Sequence, residues 1–323
     1  MKYFLFFALS NLILSNKSIA QDYHLSQFDA NPLNLNPALT GERLTENKGL
    51  QINFNYRNQT SNFTNGSSSY KTFAEGIDFP VSKKFSIGQY FTNNKSVNNT
   101  FNVTNIMISS SYKIISNTSN DDKQNLSVGL QVGVINKNYS PQNFTYGNQY
   151  SANSESGFDR DLPSGENINI VSNNQLRANF GVYYRTKLNA DKITVYSGFS
   201  VNNIAKSKEI VGGNKIPMTI RYNLNFGGMY KVDEKISLFP NILYMNQNKA
   251  HELNIGVLMQ YKMNTIQTPI VGLSWRNKNA VIVHVGLKIK GNTFRASYCF
   301  INSYLAEFRN RGLEFSIVHT SLK

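Results

Sequence analysis

The feature that most restricts this chain is a period of two that persists almost from end to end. Over Met218 to Lys231 (MTIRYNLNFGGMYK), an extended backbone would point Met218, Ile220, Tyr222, Leu224, Phe226 and Tyr230 one way. Thr219, Arg221, Asn223, Asn225 and Lys231 would point the other. One such stretch is ordinary, because a soluble antiparallel strand with one face on a core reads the same. Repetition narrows the choice: the pattern recurs along nearly the whole chain and almost no helical run interrupts it.

Leu50, Ile52, Phe54 and Tyr56 alternate with Gln51, Asn53, Asn55 and Arg57. Weaker strands follow at about 69–80, 84–92 and 100–114, then clearer ones carrying Leu126 to Val134 and Leu176 to Tyr184. The series continues at about 192–202, through 218–231, and on to 236–246, Leu253 to Tyr261, 269–276, Val281 to Lys290, Phe294 to Phe300, and a last strand with Leu313, Phe315 and Ile317. The expectation is about fourteen strands.

The connections supply an independent check. With the first strand entering from the periplasm, even-numbered joins should be short turns and odd-numbered ones longer loops. The joins Val81 to Lys84, Lys187 to Lys192, Val232 to Lys235 and Lys290 to Thr293 are short and even, while the polar stretches 58–68, 138–174 and 203–217 are long and odd. We therefore expect an all-β protein, a transmembrane up-and-down antiparallel barrel over residues 49–323 rather than a soluble sandwich. Closure has a physical cause: backbone donors and acceptors cannot go unpaired in lipid, and only a closed sheet has no edges.

Composition agrees. Past residue 20 no apolar run approaches the roughly 20 residues a helical span needs. Lys2, the apolar run Tyr3 to Leu14 and the small residues Ser18 and Ala20 read as a signal peptide over residues 1–20, so the mature chain is expected to start at Gln21. Cys299 is the sole cysteine, which excludes an internal disulfide and a cysteine metal site. The formal charge of +14 comes from Lys and Arg scattered through strands and turns, with no motif that gathers them for nucleic acid.

Residues 21–48 break the pattern. They contain two Asn-Pro steps, Asn31-Pro32 and Asn36-Pro37, and each proline removes a donor and biases the residue before it to an extended conformation. An ordered irregular or polyproline-like segment is expected there, not a helix. A barrel of fourteen tilted strands encloses more than one layer of side chains can fill. Residues 21–48 are the candidate plug, or else a lead-in that closes the periplasmic mouth.

At this point the residues carry a resemblance. His24-x-Ser26-Gln27-Phe28, followed by Asn31-Pro32-Leu33-x-Leu35-Asn36-Pro37-Ala38 and Gly41, is similar to the opening signature of the PorP/SprF family of type IX secretion system membrane proteins. Gly181-Val182-Tyr183-Tyr184, Gly198 to Asn203, Asn225-Phe226-Gly227-Gly228 and Gly272 to Arg276 extend it along the mature chain. Asp29 and Thr40 stand where the signature usually has aromatic or small apolar residues, and Arg311 to Glu314 keeps only the Gly and Glu of the closing motif. The resemblance implies an outer-membrane barrel working with the periplasmic ring lipoprotein and ring protein of the secretion apparatus. In one branch it implies secretion or surface attachment of adhesins through their C-terminal domain, including those of gliding motility.

Candidate sites follow. His24, Ser26, Gln27, Phe28, Asn31, Pro32, Leu35, Asn36, Pro37 and Gly41 form the partner-binding or plug segment. Inward Arg57, Arg177, Arg185, Arg221 and Arg295 would either select anions or pair with acids of the plug. Lys83, Lys84, Lys187, Lys192 and Lys235 at short turns suit an acidic partner, lipid headgroups or plain solvent. Glu155, Asp159, Asp161 and Glu166 lie in the longest loop without the spacing of a calcium site. His24, His251, His284 and His319 sit in separate segments with no nucleophile motif, so neither an enzyme nor a cofactor is expected. The leading reading is a secretion component; a passive porin or small-solute transporter is the alternative.

Overall fold

A computed structural model describes residues 25–42, 49–61, 68–96, 100–116, 124–140, 145–155, 157–165, 171–189, 192–211, 214–277, 280–301 and 311–321. The expected leader 1–20, His24 and Glu166 lie outside these residues. The strands are β1 (Leu50–Ser61), β2 (Ser68–Pro80), β3 (Phe85–Lys95), β4 (Phe101–Ser116), β5 (Gln124–Tyr139), β6 (Val171–Leu188), β7 (Ile193–Asn202), β8 (Lys208–Val211), β9 (Asn214–Pro217), β10 (Arg221–Lys231), β11 (Ile236–Gln247), β12 (Ala250–Tyr261), β13 (Gln267–Arg276), β14 (Ala280–Ile289), β15 (Asn292–Ile301) and β16 (Arg311–Ser321).

All but β8 and β9 join in sequence order into one closed antiparallel barrel of fourteen strands. The last strand returns to the first, with Leu50 opposite Ser321 and Arg57 opposite Glu314. The wall is inside out by the standards of a soluble protein. In β10, Arg221, Asn223 and Asn225 are buried, whereas Tyr222, Leu224 and Phe226 are exposed. The same holds around the ring: Phe54, Ile108, Leu130, Leu176, Phe199, Val257, Trp275, Val285 and Phe315 face out. So continuous an apolar girdle would be a liability in water and is what hydrocarbon requires. Among the described residues no helix is long and apolar enough to cross a membrane; the strands are the spanning elements.

Four local expectations need correction. The strand expected to start at Met218 starts at Arg221. Met218 follows Pro217, is tied back by its N–H to Ser207 O at 2.8 Å, and buries its side chain inside against Val103 and Ile135. The polar stretch 203–217 is not all loop, since β8 and β9 pair from Lys208–Pro217 to Val211–Asn214. Strands β5 and β6 outrun their apolar pattern, reaching the pair Tyr139–Val171 inside the stretch read as loop. There the facing residues are polar, with Asn136 Nδ2 donating to Ser172 and Asn174 at 3.1 and 2.7 Å, so no alternation marks the strands. Finally, the odd-numbered join between β11 and β12 is short, because Asn248 takes a positive φ of 57° and closes a two-residue turn between Gln247 and Ala250.

Candidate interaction site: the lumen segment and its wall

Leu25 to Glu42 lies inside the barrel, and nearly every residue of it is buried. Of the two forms expected, ordered irregular or polyproline-like, it takes the first, with short helical turns that the prolines were expected to exclude. Single turns occupy Phe28–Ala30 and Pro37–Leu39, with a four-residue helix, α1, at Pro32–Leu35 between them. The prolines permit this because each sits at the first helical position, where a missing N–H costs nothing. The asparagine before each stays non-helical, and Asn36 Oδ1 accepts from Ala38 N at 2.9 Å as a cap.

Turns this short satisfy few of their own backbone groups, so the wall supplies partners. Glu314 of β16 accepts from the backbone N–H of Ser26 and Gln27 at 2.7 and 3.0 Å. Gln131 of β5 donates to Leu33 O at 2.7 Å. Ser200 of β7 and Asn223 of β10 both donate to Leu35 O, at 2.8 and 3.0 Å. Ser111 of β4 donates to Thr40 O at 2.6 Å, and Asp78 of β2 accepts from Gly41 N at 2.7 Å. These are inward positions of six strands spread around the ring.

Side chains complete the fit. Gln27 donates to Ser297 and to Glu314 O, and accepts from Arg295 and Ser316. Asn36 donates to the carbonyls of Val182 and Phe199 at 3.0 and 3.3 Å. It reaches them because Gly181 lies beneath: a Cβ there would collide with the Asn36 amide, as one at Gly129 would with Pro37 and Ala38. Phe28 and Leu35 pack on Leu243, and Leu33 on Tyr90 and Met107. Between the segment and β10–β11 the cavity bordered by Asn31 and Arg221 is only about 20 Å³.

Charge is matched within the same contacts. Arg295 grips Asp29 in a two-pronged pair at 2.8 and 2.7 Å, and Arg185 Nε stands 3.0 Å from Glu42 Oε1. Asn125 also donates to Glu42. Arg57 donates to Ser26 Oγ at 3.1 Å and lies 3.9 Å from Glu314. Arg177 and Arg221 are buried in the wall, Arg221 beside Asn202. Arg295 and Arg185, two of the inward arginines, therefore meet acids of the segment directly.

The other candidates scatter. Lys192 and Lys235 border a separate open cavity at the short-turn end, while Lys83 and Lys84 lie in the β2–β3 turn and Lys187 on β6. Asp159 accepts from Asp161 N at 3.0 Å, and Glu155 is exposed nearby. Among the described residues no three metal-ligating side chains converge. His251 is exposed, His319 bonds Asn292, and His284 Nε2 lies 3.0 Å from Ser274 Oγ with both buried in the wall.

Sequence reasoning overlooked Glu314, Asp78, Gln131, Ser200 and Asn223 as anchors. The available signal was chemical: inward positions there carry amides, hydroxyls, carboxylates or glycine instead of lysine.

A family model described as "Type IX secretion system membrane protein PorP/SprF" matches residues 17–317. Among curated proteins none matches. Among solved structures the chain is similar to the Pseudomonas putida toluene transporter TodX, at 10% identity and TM-score 0.54, covering 93% of this chain and 94% of that one. It is also similar to the Ralstonia pickettii toluene transporter TbuX, at 9% identity and TM-score 0.52, covering 89% and 92%. A third is the CymD monoaromatic hydrocarbon channel, at 12% identity and TM-score 0.52, covering 94% and 95%. At such identities the likeness is one of fold, that of outer-membrane barrels.

Proposed function

Because the chain belongs to the PorP/SprF family of type IX secretion system membrane proteins, we propose that it serves that machinery as a plugged, non-enzymatic fixture of the outer membrane. After export and removal of residues 1–20, residues 49–323 form the wall and 21–48 the internal segment. The short-turn face meets the periplasmic ring lipoprotein and ring protein; the long loops meet the C-terminal domain of a secreted adhesin. Secretion, surface attachment and gliding are the processes this would support.

One observation carries the reading: the lumen is occupied by the chain's own Leu25–Glu42, tied to the wall by hydrogen bonds from several strands. A conduit has no use for so many specific contacts across its bore, whereas a rigid docking platform does. Deleting residues 21–48 should leave a heat-modifiable barrel in the outer membrane and abolish display of the adhesin. Continued display after that deletion would contradict the proposal.

The solved neighbours TodX and TbuX, both toluene transporters, suggest a second reading, a transporter of small apolar solutes. An apolar solute needs an apolar route. Here the inward residues are Asn, Gln, Ser and Arg at most levels, including Asn53, Asn55, Asn105, Asn179, Asn223 and Asn254. That chemistry supports the fixture over the transporter.

A further inference from the structure

The segment does not fill the barrel evenly. At the short-turn end, beneath β10 to β14, a cavity of about 910 Å³ opens outward. Six lysines border it: Lys192, Lys231, Lys235, Lys262, Lys288 and Lys290. Among the described residues the acids on its border are Asp233 and Glu234, and Asp233 already accepts from the backbone N–H of Lys235 and Ile236, both at 2.7 Å. Gln260 and Thr268 line it from β12 and β13, and the next inward residues of those strands, Leu258 and Ile270, are buried. Val232 and Ile266 add apolar surface at its edge.

From this geometry we infer that the bowl is the receptor for an acidic peptide segment of a periplasmic partner, one that inserts glutamates or aspartates among the six lysines. Lysines gathered around one concavity repel each other, and an inserted polyanion relieves that repulsion while low-dielectric walls focus the attraction. The cavity volume is at the upper end of the roughly 300–1,000 Å³ range of ligand clefts, too large for a single small anion. A free anion would also leave Val232 and Ile266 uncovered at the edge, whereas a peptide brings side chains for both kinds of surface. Phospholipid headgroups are poor occupants, since Lys231 of β10 and Lys288 of β14 occupy inward positions of the wall. The inference deepens the docking role proposed above and rests on it for the identity of the partner.

The test uses the full chain in detergent with a fluorescein-labelled oligoglutamate peptide read by anisotropy. The expected result is binding that weakens as salt rises and weakens at least about tenfold in the triple variant Lys262→Glu, Lys288→Glu, Lys290→Glu. Reversal of Lys83 and Lys84, in a turn remote from the bowl, should change it less than about twofold. Equal weakening by both sets, no binding by the parent chain, or displacement by inorganic triphosphate at lower concentration than by unlabelled oligoglutamate would each overturn the inference. Unchanged heat-modifiability on a gel confirms that the variants fold. Co-isolation from outer membranes separates this idea from the broader one. If the parent chain retains the ring lipoprotein and ring protein and the triple variant does too, the bowl is not the receptor and the docking role stands. If the parent retains neither, the docking role fails, and the anisotropy result alone decides the bowl.

Discussion

Two halves of one lumen differ in a way their strands do not. Around β1 to β7 and β15–β16, inward residues such as Asn55, Thr92, Ser109, Gln131, Ser200 and Glu314 are buried, and many of them bond the internal segment. At the base of β10 to β14, inward Lys231 and Lys288 and four lysines of the adjoining turns border open space beside Ser237, Gln260 and Thr268. Both halves obey the same alternation and present the same kind of apolar surface to lipid. The difference lies in what the inner face must satisfy. A segment without ladders of its own needs short, neutral groups and a few paired charges at fixed positions. Water, or an acidic visitor, is served by long mobile cations.

That contrast can be attacked from the segment's side, and Glu314→Ala should have the largest effect. It strips the acceptor from two backbone N–H groups and removes the carboxylate beside buried Arg57, a loss of about 3–5 kcal/mol for breaking a buried pair. Hydrogen exchange over residues 26–41 should rise steeply while the gel shift of the folded wall persists. Gly181→Leu reaches the same end without changing the segment's own sequence, since the added side chain overlaps Asn36. Overpacking of this kind costs about 1–3 kcal/mol, and exchange should rise first around Asn36 to Ala38. Unchanged exchange in that variant would mean that the close approach has no energetic weight. Asp29→Ala comes next, releasing Arg295 from its two-pronged partner at a cost of about 1–3 kcal/mol, read as faster exchange at Phe28 to Ala30.

The smallest expected effect lies on the open side. Backbone N–H groups of Ile236 and Lys235 hold the Asp233 carboxyl below its ordinary value. A depressed acid stabilises its turn above the unfolded value and loses that contribution as pH falls through the folded one. Exchange-protection factors at Ile236 should therefore decline only in the acid range below the ordinary carboxylate value. A decline already complete nearer neutrality would contradict the assignment.

How much of this was legible follows from which solvent each residue meets. Lipid asks for apolar residues at every second position, with departures such as Glu75 and Gln89 on the outer faces of β2 and β3, so strands such as β10 from Tyr222 and β14 from Val281 announce themselves. Where β5 and β6 rise beyond the apolar band at Asn136 and Asn174, both faces are polar and the period vanishes. Met218 continued the alternation by accident, its direction set by a tether to Ser207 that no periodicity reveals. The segment's prolines were visible, but the helical turns they begin were not, because first-position prolines read like helix breakers. Partners such as Gln27 and Glu314, 287 residues apart, are linked only by closure of the ring. Asp29 and Thr40 stood out in the sequence as departures from the family signature, and both make wall contacts, Asp29 with Arg295 and Thr40 with Ser109 at 2.6 Å.

Single-channel recording in planar bilayers tests the central claim most directly, with the full chain set beside the same chain lacking residues 25–42. A lumen closed by its own segment should give a silent parent and discrete open steps once the segment is gone. Open steps of the same size from both chains would show that the segment does not close the bore, and the fixture would have to yield to the transporter.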